Sequence, residues 1–185
     1  MEKLVTLCKD SYKEFSKVKV ITALAMLGAI SLVIASYRID IGPFIRITFS
    51  GIPNQIAYYL FGPIVGGVFG GAMDILAFIM KPTGGYLPGF TLSAILRGIL
   101  YGVFFYKKKM TFRRILVAEL IVIIICNLFL GTLWLNIYYG KAFFAILPMR
   151  ALKNIIQWPI NSFLLFSIVK MLEKSGVIRM IKSEN

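Results

Sequence analysis

Residues 90–102 read FTLSAILRGILYG, an apolar helical stretch with an arginine, Arg97, near its middle. An unpaired charge at the centre of a bilayer costs at least ~2.5–3.5 kcal/mol. Either the stretch lies outside a membrane, or something inside the membrane needs that charge. Composition decides the first point: 58% of the 185 residues are hydrophobic and the mean hydropathy is +0.81. That is more apolar than a water-soluble domain of this length, so the chain reads as an integral membrane protein.

A hydrocarbon core of ~30 Å needs ~20 mostly apolar residues per helix. Around the run 88–106, further runs occupy 18–37, 63–80, 115–139 and 142–169, and a weaker one, 45–62, carries Pro53, Asn54 and Gln55. The expected fold is all-α, a compact bundle of six transmembrane helices over 18–172, with a basic leader over 1–17 and a tail over 173–185. Pro148 and Pro159 are expected kink sites in the last helix. The first hydrophobic run follows a mixed-charge stretch and has no small-residue cleavage site, so it reads as a retained span rather than a signal peptide.

Of the 21 Lys and Arg, Lys3, Lys9, Lys13, Lys17 and Lys19 in and beside the leader, the five of the KKKMTFRR loop (107–114), and Lys170, Lys174, Arg179 and Lys182 in and beside the tail fall on one side, while Arg38, Arg46, Lys81 and Lys141 fall on the other. By the positive-inside rule both termini are cytoplasmic in the cell membrane. The net charge of +13 then serves topology and lipid headgroups, and no nucleic-acid partner is expected.

Three cations remain in mid-segment: Arg97, Arg150 and Lys153. The last helix stacks Arg150, Asn154, Gln157 and Asn161 on one face, with Lys153 and Trp158 flanking. Ser93, Arg97 and Tyr101 follow one another at intervals of four, Asn127, Trp134 and Asn136 lie in the outer half of the fifth helix, and Asp74 continues the register of Gly62, Gly66 and Gly70. These groups are expected to converge on an outward-facing cavity. One explanation is internal: Asp74 neutralises Arg97 or Arg150, and the amides cross-link helices. The other is that the missing anion is a ligand, since intramembrane ionisable residues mark ligand or ion pathways. Glu119, five residues after Arg114, is expected to be paired locally or to snorkel. Trp158 can stack on a flat ligand or pack between helices.

Catalysis has little to work with. No histidine is present, which excludes zinc proteases and serine–histidine mechanisms. Cys8 and Cys126 match no metal or redox spacing, so no metal is expected. No G-x-x-x-x-G-K-[ST] occurs, so any ATP is hydrolysed elsewhere. Ala25 and Ala29 form an A-x-x-x-A on the first long helix, a spacing that lets helices approach closely.

That A-x-x-x-A, FGPIVGGVFGGAMDILAFI (61–79) and KPTGGYLPGFTLSAILRGILYG (81–102) resemble the substrate-binding S components of energy-coupling factor vitamin transporters. IRITFSGIP, PTGGYLPGFTLSAILRG, LGTLWLNIYYGK and LPMRALKNIIQWPI are most similar to the folate-specific members, over about residues 18–172. The resemblance implies a six-helix bundle that binds folate from outside and acts with a transmembrane coupling (T) subunit and two ATP-binding cassette subunits. It places Ala25 and Ala29 on the face that docks to the T subunit, and gates the site with Arg38 to Phe44 and Lys81 to Pro88, the latter hinged at Gly84 and Gly85 beside Tyr86. No cofactor is implied. Folate brings a flat pterin and two carboxylates. Asp74, Asn127 or Asn154 could read the pterin, Trp134 or Trp158 could flank rings, and Arg97, Arg150 or Lys153 could pair the glutamate, whose carboxylates suit a planar guanidinium. Thiamine and riboflavin, the ligands of rival S components, lack a carboxylate. A small proton-coupled exporter would rely on Asp74, and an intramembrane hydrolase lacks a serine–lysine pair.

Overall fold

The computed structural model describes residues 2–15, 17–37, 39–41, 45–47, 49–80, 85–139, 143–176 and 178. In chain order these form α1 (Glu2–Glu14), α2 (Val18–Ser36), the strands β1 (Ile39–Ile41) and β2 (Ile45–Ile47), α3 (Gly51–Met80), α4 (Pro88–Phe105), α5 (Phe112–Val122), a π-helical continuation over Ile123–Leu130, α6 (Gly131–Tyr139) and α7 (Phe143–Lys174). Among the described residues five stretches are long and apolar enough to cross a membrane: Val18–Ser36, Gly51–Met80, Pro88–Phe105, Phe112–Ile137 and Arg150–Lys174. Side chains such as Ile79, Ile155, Phe163 and Met171 point outward from them, as a lipid-facing surface requires.

The weak run 45–62 is not one helix. Ile45–Ile47 pairs antiparallel with Ile39–Ile41, Ile39 opposite Ile47, and the helix begins at Gly51. Two β-branched residues flanking an arginine alternate with the period of a strand. What remains of the expected second span, 51–61, is an arm of ~17 Å at 1.5 Å per residue, about half the ~30 Å core.

That arm folds back on the rest of α3. Gly62 has φ 87 and ψ −171, a left-handed region open to glycine, and Pro63 has no N–H to continue the ladder. The rings of Tyr58 and Phe69 lie 6.4 Å apart edge to face, whereas a straight helix would separate them by ~16 Å along its axis. The break is capped from outside. Ser11 of α1, fully buried, donates its hydroxyl to the Phe61 carbonyl at 2.7 Å and accepts from the N–H groups of Ile64 at 3.1 Å and Val65 at 3.2 Å. One hydroxyl thus satisfies the last carbonyl of one arm and the first free donors of the next, the function of an N-cap supplied by another helix. The segment expected as a leader is therefore a packed helix, held further by Asp10, which accepts from Lys107 Nζ at 2.6 Å.

The long arm of α3 lies against α4 through small residues on both helices. A Cβ on Gly98 would stand 2.1 Å from the Gly66 carbonyl oxygen, one on Gly70 2.7 Å from the Ala94 oxygen, and one on Gly102 2.4 Å from Pro63 Cα. Backbone touches backbone, as small-xxx-small pairs allow. α2 packs on α3 through Val20, Leu24, Gly28 and Ser31, which leaves Ala25 and Ala29 exposed on the opposite face. α7 runs helically through both Pro148 and Pro159.

Candidate functional site

Adjacent to its glycine face, one step of ~100° round the helix, α4 presents Ser93, Arg97 and Tyr101. Each meets a polar group from the chain 112–139. Trp134 Nε1 donates to Ser93 Oγ at 3.1 Å, Arg97 Nη2 donates to Asn127 Oδ1 at 3.1 Å, and the Tyr101 hydroxyl donates to Glu119 Oε2 at 2.8 Å. These three rungs run antiparallel, from α6 through the π-helical turns to α5. In a regular α-helix Glu119 and Asn127, eight apart, would differ by about 80° in direction. The slower winding of the i to i+5 turns brings both toward α4.

Trp134 sits flat over Gly89: a Cβ there would stand 2.2 Å from indole Cδ2. Ser93 passes the rung on to the Gly89 carbonyl at 3.0 Å. Gly131, one turn before Trp134, makes room for Arg150, whose Nη1 lies 3.0 Å from where a Cβ would be. The structure thus gathers Arg97, Asn127, Trp134 and Arg150 around one stretch of chain. Arg97 Nε is buried and has no hydrogen-bond partner among the described residues. An open guanidinium donor, an amide and an indole face beside a second guanidinium suit a flat ligand with an acidic end.

The other expected residues make other contacts. Asp74 continues the α3–α4 seam, as its register with Gly66 and Gly70 requires, and accepts from Thr91 Oγ1 at 2.8 Å; Thr91 in turn shares a hydrogen bond of 2.6 Å with the hydroxyl of Tyr86. Among the described residues Asp74 makes no ion pair with Arg97 or Arg150, so that half of the internal explanation is not formed, whereas the Asn127 amide does link helical segments through Arg97. Trp158 donates to the Leu116 carbonyl at 3.0 Å, near the start of α5 and ~27 Å of helix away from Trp134, which favours packing over stacking there. Asn154 is buried and Lys153 half-buried on α7. Gly85 and Tyr86 are exposed, while Arg38, Phe44 and Gly84 lie outside the described residues.

One expectation is corrected. Glu119 neither pairs with Arg114 nor snorkels: it is 3% exposed and accepts from Gln55 Nε2 at 2.6 Å as well as from Tyr101, whereas Arg114 donates to the Lys109 carbonyl. Spacing within the helix pointed to Arg114; the partners come from two other helices. Gln55, one of two adjacent amides in an otherwise apolar arm, is the available signal.

Helices of this length and apolarity around an internal guanidinium fit a membrane-embedded protein. Residues 19–169 match the family described as ECF transporter, substrate-specific component, and the chain belongs to that family. It is 34% identical over 169 residues to the folate transporter FolT of Clostridium novyi, covering 91% of this chain and 98% of that one. It is 27% identical to FolT of Leuconostoc mesenteroides over 75% and 77% of the two chains. The fold superposes with a TM-score of 0.76 on a crystal structure of FolT bound with folic acid, at 34% identity over 82% of this chain and 93% of that one. An S component for biotin superposes with a TM-score of 0.67 at 24% identity, over 85% and 92%, which speaks to the fold alone.

Proposed function

We propose that this chain is the folate-binding subunit of an ATP-driven energy-coupling factor importer. The observation that carries the reading is the Arg97 rung: a guanidinium within an apolar helix, held by the neutral amide of Asn127, with a buried Nε donor that has no partner, and no carboxylate within salt-bridge distance, among the described residues. Such a cation is costly without an anion. The relatives named as folate transporters and the similar structure holding folic acid point to which anion. Arg97 and Arg150 pair with the glutamate end, Trp134 and Asn127 flank and read the rings, and Lys153 and Asn154 extend the wall on α7. Asp74, with Thr91 and Tyr86, stands at the far end of the α3–α4 seam, beside the connection that gates entry.

Folate enters from outside, both termini face the cytoplasm, and the outward face bearing Ala25 and Ala29 meets the transmembrane coupling subunit, which two ATP-binding cassette subunits drive. Ala25→Trp or Ala29→Trp should leave folate binding of the purified protein intact and abolish uptake by cells, because both side chains point away from the bundle. Loss of binding instead would show that this face packs internally.

Isothermal titration of the purified protein with folic acid, thiamine, riboflavin and biotin tests the reading. Tight binding of folic acid alone is expected. Preference for thiamine or riboflavin, which carry no carboxylate, would overturn it. Uptake abolished by proton uncouplers but indifferent to the ATPase subunits would favour the proton-coupled alternative.

A further inference from the structure

The rung below Arg97 holds a carboxylate that the proposed ligand contacts leave unused. Glu119 is 3% exposed, Gln55 6% and Tyr101 2%, so the cluster is dry and closed to a ligand. Both partners give a hydrogen to the carboxylate, the Gln55 amide at 2.6 Å and the Tyr101 hydroxyl at 2.8 Å, an arrangement that suits the ionised form. Tyr101 lies one turn from Arg97 on the same face of α4, ~6 Å along the axis. Arg97 and Glu119 form no salt bridge within 4 Å among the described residues.

We propose that Glu119 is a positioning residue that acts through Arg97: a fixed internal counter-charge, set one rung away by Gln55 and Tyr101, that offsets the guanidinium when the site is empty and opposes the ligand's carboxylate when it is full. The proposal rests on the reading that the ligand is a carboxylate such as folate. Its physical content is a trade. A buried cation without an anion destabilises the empty bundle, and a second anion near the first weakens the first one's hold. Glu119 lies too far from Arg97 to compete for its donors, so the ligand still forms the direct hydrogen bonds. The residue therefore lowers the cost of emptying the site, which a subunit that must release its cargo inward needs as much as tight capture.

The test pairs Glu119→Gln, which keeps shape and removes charge, with Glu119→Asp, which keeps the charge. Folic acid and a pterin lacking the glutamate are titrated against each purified protein. Glu119→Gln should bind folic acid roughly tenfold more tightly than wild type, at the strength of a unit charge acting across ~10 Å of protein. Its affinity for the carboxylate-free pterin should be unchanged, and Glu119→Asp should leave the ratio of the two ligands near the wild-type value. Equal shifts for both ligands, no shift, or weaker binding of folic acid alone would each overturn the proposal. A ligand-free measurement stands beside this one. The melting temperature of Glu119→Gln should fall, and that of the double variant Arg97→Gln/Glu119→Gln should rise back above it, because the uncompensated cation is gone. If Glu119→Gln cannot be recovered folded, the double variant should be; failure of the double variant to recover overturns the proposal. Because melting uses no ligand, it judges Glu119 even if folic acid fails to bind wild-type protein, an outcome that would sink the folate reading instead.

Discussion

The two faces of α4 differ in kind. One carries Ala94, Gly98 and Gly102 against Gly66, Gly70 and Pro63, with so little space that a Cβ at Gly98 would reach within 2.1 Å of a carbonyl oxygen. The other, a single residue back in the sequence, carries Ser93, Arg97 and Tyr101, which meet the facing chain through spaced hydrogen bonds of 3.1, 3.1 and 2.8 Å and leave Arg97 Nε without a partner among the described residues. Backbone packing with no side chains between leaves no freedom to relax, whereas a polar seam with an open donor can admit a ligand. The glycine face locks α3 and α4 together, and that packing fixes the position of Arg97.

The contrast breaks most severely at Gly98. Gly98→Ala drives a methyl into backbone rather than into a flexible side chain, so its cost should exceed the ~1–3 kcal/mol of ordinary overpacking, about 10 °C or more in melting temperature. A melting temperature close to wild type would show that the seam is looser than its geometry. On the polar face the damage should fall on binding instead. Arg97→Ala should cost ~2–5 kcal/mol of folate affinity, the range for removing one partner of a buried charged contact, and Lys107→Ala, on an exposed loop, almost none. A fluorescence-quench titration that gives the two variants equal affinity would refute the assignment of Arg97.

Smaller effects belong to the end of the bundle where α1 caps the α3 fold. Ser11→Ala removes one acceptor for Ile64 and Val65 and should lower stability by ~0.5–2 kcal/mol, the range for a lost N-cap, with folate affinity retained. A large loss of affinity would make α1 part of the site. The weakest tie is Asp10 to Lys107. The hydrogen bond from Lys107 holds the Asp10 carboxyl below its usual range, so its stabilising effect is present above the ordinary carboxylate pKa of ~3.9 and disappears as pH falls through the lowered value. The melting difference between wild type and Lys107→Ala should be small at pH 7 and vanish at strongly acid pH; a difference that grows on acidification would contradict the tie.

Most helices were legible because a bilayer demands long apolar runs: the run 88–106 became Pro88–Phe105 and 18–37 became Val18–Ser36. The stripes were legible too, since a spacing of four placed Gly66, Gly70 and Asp74 on one face and Ser93, Arg97 and Tyr101 on another. Three things were not. The α3 arm was overextended because hydropathy does not separate the strand Ile45–Ile47 from a helix. The π-helical turns over Ile123–Leu130 have no signature in apolar residues that suit any helix, yet they turn Asn127 toward Arg97. Glu119 was misassigned because proximity in sequence favoured Arg114, while its partners Gln55 and Tyr101 stand 64 and 18 residues away. Partnerships across helices are a property of packing, which a single sequence records only as polar letters in apolar company.

The central claim is that Arg97 meets the ligand's carboxylate, and competition measures it most directly. Labelled folate bound to wild-type protein and to Arg97→Ala is displaced in parallel by folic acid and by a pterin without the glutamate. Folic acid should be far the stronger competitor on wild type, and the gap should narrow sharply on Arg97→Ala, since only the carboxylate loses its partner. Near-equal potency of the two competitors on wild-type protein would contradict the account and show that Arg97 serves the bundle rather than the ligand.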